Sequence, residues 1–103
     1  MAKAYMFSFD LHNKSGDVYS NIEEDIKKQF PESVKILYTT YVFTTTLSLV
    51  TVSGQLKAIL DRHVGEQNHE YYAVRMAEPG HGWLKKAKID LLNRILAKVL
   101  VYC

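Results

Sequence analysis

A chain of 103 residues, 48% apolar and 23% charged with a net charge of +2, is long enough for one modest core and too short for two domains. That balance excludes a disordered chain, and no apolar run approaches the roughly 20 residues of a membrane span. The single cysteine, Cys103, excludes an intrachain disulfide and a zinc site built from cysteines of one chain.

The start MAKAYMF has neither the basic flank and long apolar core nor the small-residue cleavage site of a secretory signal, so the cytoplasm is the expected location and no membrane contact is expected. The charge is unevenly distributed. Lys85, Lys86, Lys88, Arg94 and Lys98 face only Asp90 near one end, whereas Asp10, Asp17, Glu23, Glu24, Asp25 and Glu32 outweigh Lys14, Lys27 and Lys28 near the other.

The first predicted element is a strand over Ala4–Leu11, AYMFSFDL, with Tyr5, Phe7, Phe9 and Leu11 on one face and Ala4, Met6, Ser8 and Asp10 on the other. Both faces are apolar as far as Ser8, which predicts a central strand. A polar loop, HNKSG, leads to a helix beginning near Asp17 that carries Val18, Ile22, Ile26 and Phe30 at helical spacing and stops at Pro31. VKILYTTYVFTTTLSLV is too long for one strand and predicts two antiparallel strands, about 34–38 and 40–46, joined near Tyr38 and Thr39. Ser53 is the expected N-cap of a second helix with Leu56, Ile59, Leu60 and Val64 inward and Gly65 as its stop.

EYYAVRMAE alternates Tyr72, Val74 and Met76 with Tyr71, Ala73 and Arg75, the pattern of a half-buried strand. After Pro79-Gly80-His81-Gly82 comes a third helix, with Leu84, Ala87, Leu91, Ile95 and Val99 as its expected stripe, Leu92 and Leu96 alongside, and its lysines outward. The last residues, VLVYC, read as helix or as a short added strand. The order defines an α+β protein, a ferredoxin-like βαββαβ sandwich with an additional C-terminal helix. It occupies residues 1–103 as a single domain, with a core of about 4–78 and a helical extension of about 83–100.

Asp10 is the sharpest chemical feature, since a lone carboxylate ending an apolar strand calls for a partner, a metal or solvent. His12 stands two residues on and points the same way in an extended segment, as a metal ligand or general base beside that carboxylate, or as a plain loop histidine. Asp17 is explained by helix capping, and His63 and His69 read as surface residues. Pro79 to Trp83 is either a turn with Trp83 on the sheet or a phosphate contact through backbone amides. Tyr38, Tyr41, Tyr71 and Tyr72 lack the arginines of an RNA-stacking platform and are better explained as dimer-interface packing.

YMFSFDL, the polar loop into GDVYSNIEEDI, and YTTYVFTTTLS followed by a helix and YYAVRMAE resemble the small ferredoxin-like proteins around the CRISPR-associated adaptation endonuclease subunit and the virulence-associated protein D ribonuclease. The resemblance covers about residues 4–78. It implies a homodimer formed through the sheets, in which Asp10 faces its symmetry mate near the two-fold axis and the pair holds a divalent metal, magnesium or manganese, that activates water against a phosphodiester. The catalytic residue the resemblance implies is Asp10, and His12, by its spacing from Asp10, is the expected auxiliary. Lys14, Lys85, Lys86 and Lys88 are the expected contacts to RNA or DNA. The loop HNKSGD departs from the arginine-bearing loop of the adaptation subunits, leaving Lys14 as its fixed cation. The contrasting expectation is a catalytically inactive dimeric module, an inhibitor or adaptor of a phage or mobile element, that binds another protein through the acidic first helix.

Overall fold

The computed structural model describes residues 2–12, 16–65, 68–77 and 84–97. Its elements are β1 (Lys3–Leu11), α1 (Gly16–Gln29), β2 (Ser33–Leu37), β3 (Thr40–Thr45), α2 (Leu49–Val64), β4 (His69–Met76) and α3 (Lys86–Leu96). The strands form one four-stranded antiparallel sheet in the order β2-β3-β1-β4. β1 is therefore internal, as its two largely apolar faces require.

Alternation along the strands sorts the core into two layers. Tyr5, Phe7, Phe9 and Leu11 of β1 and Tyr41 and Phe43 of β3 pack against Ile22, Ile26 and Phe30 of the first helix and its end, and against Val52, Leu56, Ile59, Leu60 and Val64 of α2. The ring of Phe43 lies between those of Phe30, at 4.3 Å, and Tyr5, at 5.8 Å. Tyr5 is fully buried and donates its hydroxyl proton to the Leu47 carbonyl at 2.7 Å, which keeps this polar tip from becoming a desolvation cost. On the opposite face Ala4, Val34 and Val42 are covered by Ile95 and Leu96 of α3, with Ile36, Met76 and Leu92 around them.

The β2–β3 connection falls at Tyr38 and Thr39. No glycine, asparagine or proline marks it. The adjustment is made instead by a register shift between Lys35 and Leu37, an irregularity that strengthens local twist.

Two expectations need correction. The second helix begins at Leu49 with Ser48 as N-cap, its Oγ accepting from the Thr51 N–H at 3.3 Å. Ser53 lies a turn inside, and its hydroxyl is 3.0 Å from that of Tyr71. The β-branched run Val50 to Val52 imitates a strand, but Val52 is fully buried on the helical stripe, and that packing together with the cap outweighs propensity. Gly65 does end the helix, at φ 85°.

The inward face of α3 is also rotated from the expected stripe. Leu92, Ile95 and Leu96 point inward, while Ala87 and Leu91 are exposed. Lys88 is half-buried, donating from Nζ to the Ile36 carbonyl at 3.1 Å, so not every lysine points outward. The helix carries two overlapping apolar stripes, and the contour of the sheet beneath it selects one. Lys14, His81, Trp83, Lys98, Val99 and the final VLVYC lie outside the described residues.

Candidate functional site

Asp10 is not buried. It projects into solvent from the α3 side of the sheet, where the strand ends beyond the area covered by that helix. The antiparallel register puts Glu70 of β4 directly opposite it and Tyr72 opposite Ser8. Facing residues on one side of a ladder have Cβ atoms about 5 Å apart, so the two carboxylates are neighbours. Together with Ser8, Phe9, Tyr71 and Tyr72 they line a shallow depression of about 280 Å³.

Among the described residues no lysine, arginine or histidine pairs with Asp10 or Glu70. Like charges directly opposite one another on a ladder are destabilising. A cation between them would relieve that repulsion. The sequence directed attention to Asp10 alone. Glu70 is 60 positions away, and only the β1–β4 register joins them.

His12 is exposed, and its backbone N–H donates to the Asn68 carbonyl at 3.1 Å, which extends the β1–β4 ladder one step past the strand. Alternation therefore keeps it on the Asp10 side. Lys88, anchored at Ile36, and the exposed Lys85 and Lys86 lie at the start of α3 on this same side. Ile36 and Asp10 belong to the same end of the sheet, on strands separated by β3, and the registers set Ile36 level with Phe7 and Ser8, hence roughly 13 Å from Asp10. Lys86 is paired with Asp90 at 3.0 Å, and no side chain caps the start of this helix. The two acids and the basic helix start therefore share one face and one end of the sheet, on opposite halves of it.

The tyrosines do not form one surface. Tyr41 is in the core, Tyr71 is half-buried beside Ser53, Tyr38 is in the β2–β3 turn, and Tyr72 is exposed.

The two histidines expected on the surface are instead tied to carboxylates, His69 buried and His63 partly buried. His69 Nε2 is 2.7 Å from Asp61 Oδ1, and its side chain is only 3% exposed. His63 Nε2 lies 2.6 Å from Asp25 Oδ2, which also accepts from Arg62 at 2.8 Å. These links tie α2 to β4 and to α1. Asp25 is held below the ordinary carboxylate range, chiefly by the His63 hydrogen bond and then by Arg62, against the opposing effect of burial. Asp61 is lowered by Lys57 first and His69 second.

A carboxyl whose folded pKa is depressed stabilises the fold fully above its unfolded value, and that contribution disappears as pH falls through the folded value. Stability should therefore decline below about pH 4. Urea unfolding as a function of pH checks this: Asp25→Asn should flatten the acid arm, and an unchanged slope would remove Asp25 from the account.

The described residues thus define an α+β protein with a four-stranded antiparallel sheet and an open acidic corner. No family model matches the chain, and no curated protein matches it. No described helix is long and apolar enough to cross a membrane.

Among the described residues no three His, Cys, Asp or Glu side chains come together as a cage. Asp10 and Glu70 supply two hard oxygen donors open to water, which suits magnesium, an ion that keeps several waters and takes one or two carboxylates.

Proposed function

We propose that the protein is a homodimeric, nucleic-acid-associated member of the ferredoxin-like class, related to the CRISPR adaptation subunit and virulence-associated protein D, that acts in the cytoplasm as a metal-dependent endonuclease. The observation that carries this reading is the Asp10–Glu70 pair on the open side of β1 and β4, with no cationic partner among the described residues. Asp10 and Glu70 would hold magnesium or manganese, with His12 as auxiliary and Lys85, Lys86 and Lys88 attracting phosphates. The bound ion supplies a more acidic water and a counter-charge for a phosphodiester. The chain's own groups orient it: the ladder fixes the spacing of the carboxylates, and the lysines set the side from which a strand of RNA or DNA approaches. Glu70 offers a second carboxylate from the same chain where the resemblance implies the partner's Asp10.

Cleavage of labelled RNA and DNA with magnesium or manganese is the test. Asp10→Asn and Glu70→Gln should each reduce the rate by about 100-fold or more, since each leaves one carboxylate to hold the ion. Far-UV circular dichroism should be unchanged, because both side chains are exposed. Equal cleavage by both variants would assign the activity elsewhere.

A second reading, a catalytically inactive inhibitor or adaptor, is supported by Leu37 and Tyr38, which leave apolar surface in solvent around the β2–β3 turn at 56% and 60% exposure. Metal-independent capture of one protein, with no retardation of nucleic acid at low salt, would establish it.

A further inference from the structure

β4 is the one sheet edge built to accept another strand. β2, at the other edge, has five residues and an irregular register, features that blunt an edge. β4 has eight residues, HEYYAVRM, no proline and no shift in its pairing with β1. The His12 N–H to Asn68 carbonyl bond fixes the phase of that ladder. Residues 70, 72, 74 and 76 direct their backbone groups to β1, so His69, Tyr71, Ala73 and Arg75 direct theirs to the outer edge. Among the described residues no strand takes them.

Beside this edge runs an open groove of about 400 Å³ lined by Leu49, Val50, Ser53, Tyr71, Tyr72 and Ala73. Val50 and Tyr72, at 83% and 73% exposure, are the most exposed large apolar side chains of the described residues. Among the described residues an unpaired backbone edge thus runs between the two most exposed large apolar side chains, Val50 on the α2 side and Tyr72 on the other.

We propose that a second copy of this chain occupies the edge, β4 pairing antiparallel with the other copy's β4 about a two-fold axis through Tyr72. The inference rests on the homodimer reading and specifies its interface. A two-fold perpendicular to a continuous sheet keeps each face on its own side, so facing residues must both be odd or both even. Centring on Tyr72 satisfies this. Tyr71 then faces Ala73 of the other copy, a large side chain against a small one, and His69 faces Arg75. All four outward residues of each strand find a partner, giving about eight hydrogen bonds at two per facing pair. Glu70 faces Val74, so no two carboxylates are opposed. On the α2 side the grooves meet across the axis and cover Leu49 and Val50, while on the opposite face Tyr72 meets the Tyr72 of the other copy.

The arrangement makes an eight-stranded sheet with both acidic corners on one face. Three strand spacings across and four residues along separate them by about 20 Å, too far to share an ion. Each corner would act alone.

Cysteine trapping tests this in the full chain with Cys103→Ser. Tyr72→Cys faces itself at a non-hydrogen-bonded position, where Cα atoms lie about 4.5 Å apart, within disulfide range. It should form a covalent dimer under mild oxidation, and Asp10→Cys should not. Sedimentation should show a dimer whose dissociation constant rises at least tenfold in Ala73→Pro, which removes an outward N–H, and in Val50→Glu, which cannot unfold the monomer because Val50 is already exposed.

A dimer trapped through Asp10→Cys would overturn edge pairing and leave the homodimer reading standing. A dimer indifferent to both Ala73→Pro and Val50→Glu would likewise overturn the edge. A monomer at all concentrations would overturn both proposals. If that monomer protected the Tyr71 and Ala73 amides from hydrogen exchange, the occupant would be another segment of the same chain.

Discussion

Phe43→Ala is expected to cost about 3–5 kcal/mol, the usual range for emptying a buried aromatic site. Phe43 is fully buried on β3, with the Phe30 ring on one side and Tyr5 on the other. Its loss opens a cavity where the end of α1 meets the sheet. The Tyr5 ring cannot move in to fill it without losing the 2.7 Å bond to Leu47. A domain of this size has a total stability of about 5–15 kcal/mol. With roughly 4–8 °C lost per kcal/mol, thermal unfolding followed by circular dichroism should show a fall in Tm of about 12–40 °C. Leu37→Ala, at a half-exposed site, should stay near 0.5 kcal/mol, roughly the limit for surface changes. Similar losses for the two variants would contradict the packing described.

The second large effect belongs to the opposite face. Leu96 is 1% exposed and packs with Ile95 over Ala4, Val34 and Val42. Leu96→Ala is expected to cost about 2–5 kcal/mol. The loss should be local, since α3 rests on β2 and β3 and shares no cluster with α1 or α2. Native-state hydrogen exchange should show the amides of α3 opening at lower free energy than those of β1 and β3, and the mutation should widen the gap. Uniform weakening of every amide would instead make α3 part of one cooperative unit. The result also bears on partners. α3 covers the β2–β3 side of the face through which the resemblance places a second copy, leaving Asp10 on the uncovered side.

The order of elements was legible because alternation and helical spacing are local. Tyr5, Phe7, Phe9 and Leu11 are buried on one face as the alternation of β1 requires, and Leu56, Ile59, Leu60 and Val64 are buried as the spacing of α2 requires. The turn at Tyr38 and Thr39 was legible from length alone, since one strand cannot hold so long a β-branched run. Ser48 was missed because Leu49 to Val52 has strand composition, and only the burial of Val52 against the core decides for the helix. The stripe of α3 was misread because each overlapping set of apolar residues satisfies the helical period.

By itself the sequence determined the elements, the main core residues and the suspicion that falls on Asp10, all of which depend on the nature and spacing of nearby side chains. Tertiary structure alone decided that Asp10 is exposed, that Glu70 stands opposite it, that His69 and His63 are held by Asp61 and Asp25, and that β4 lies at an edge of the sheet the described strands form. Those facts come from strand register and layer packing. They join residues distant along the chain, and no local period encodes them.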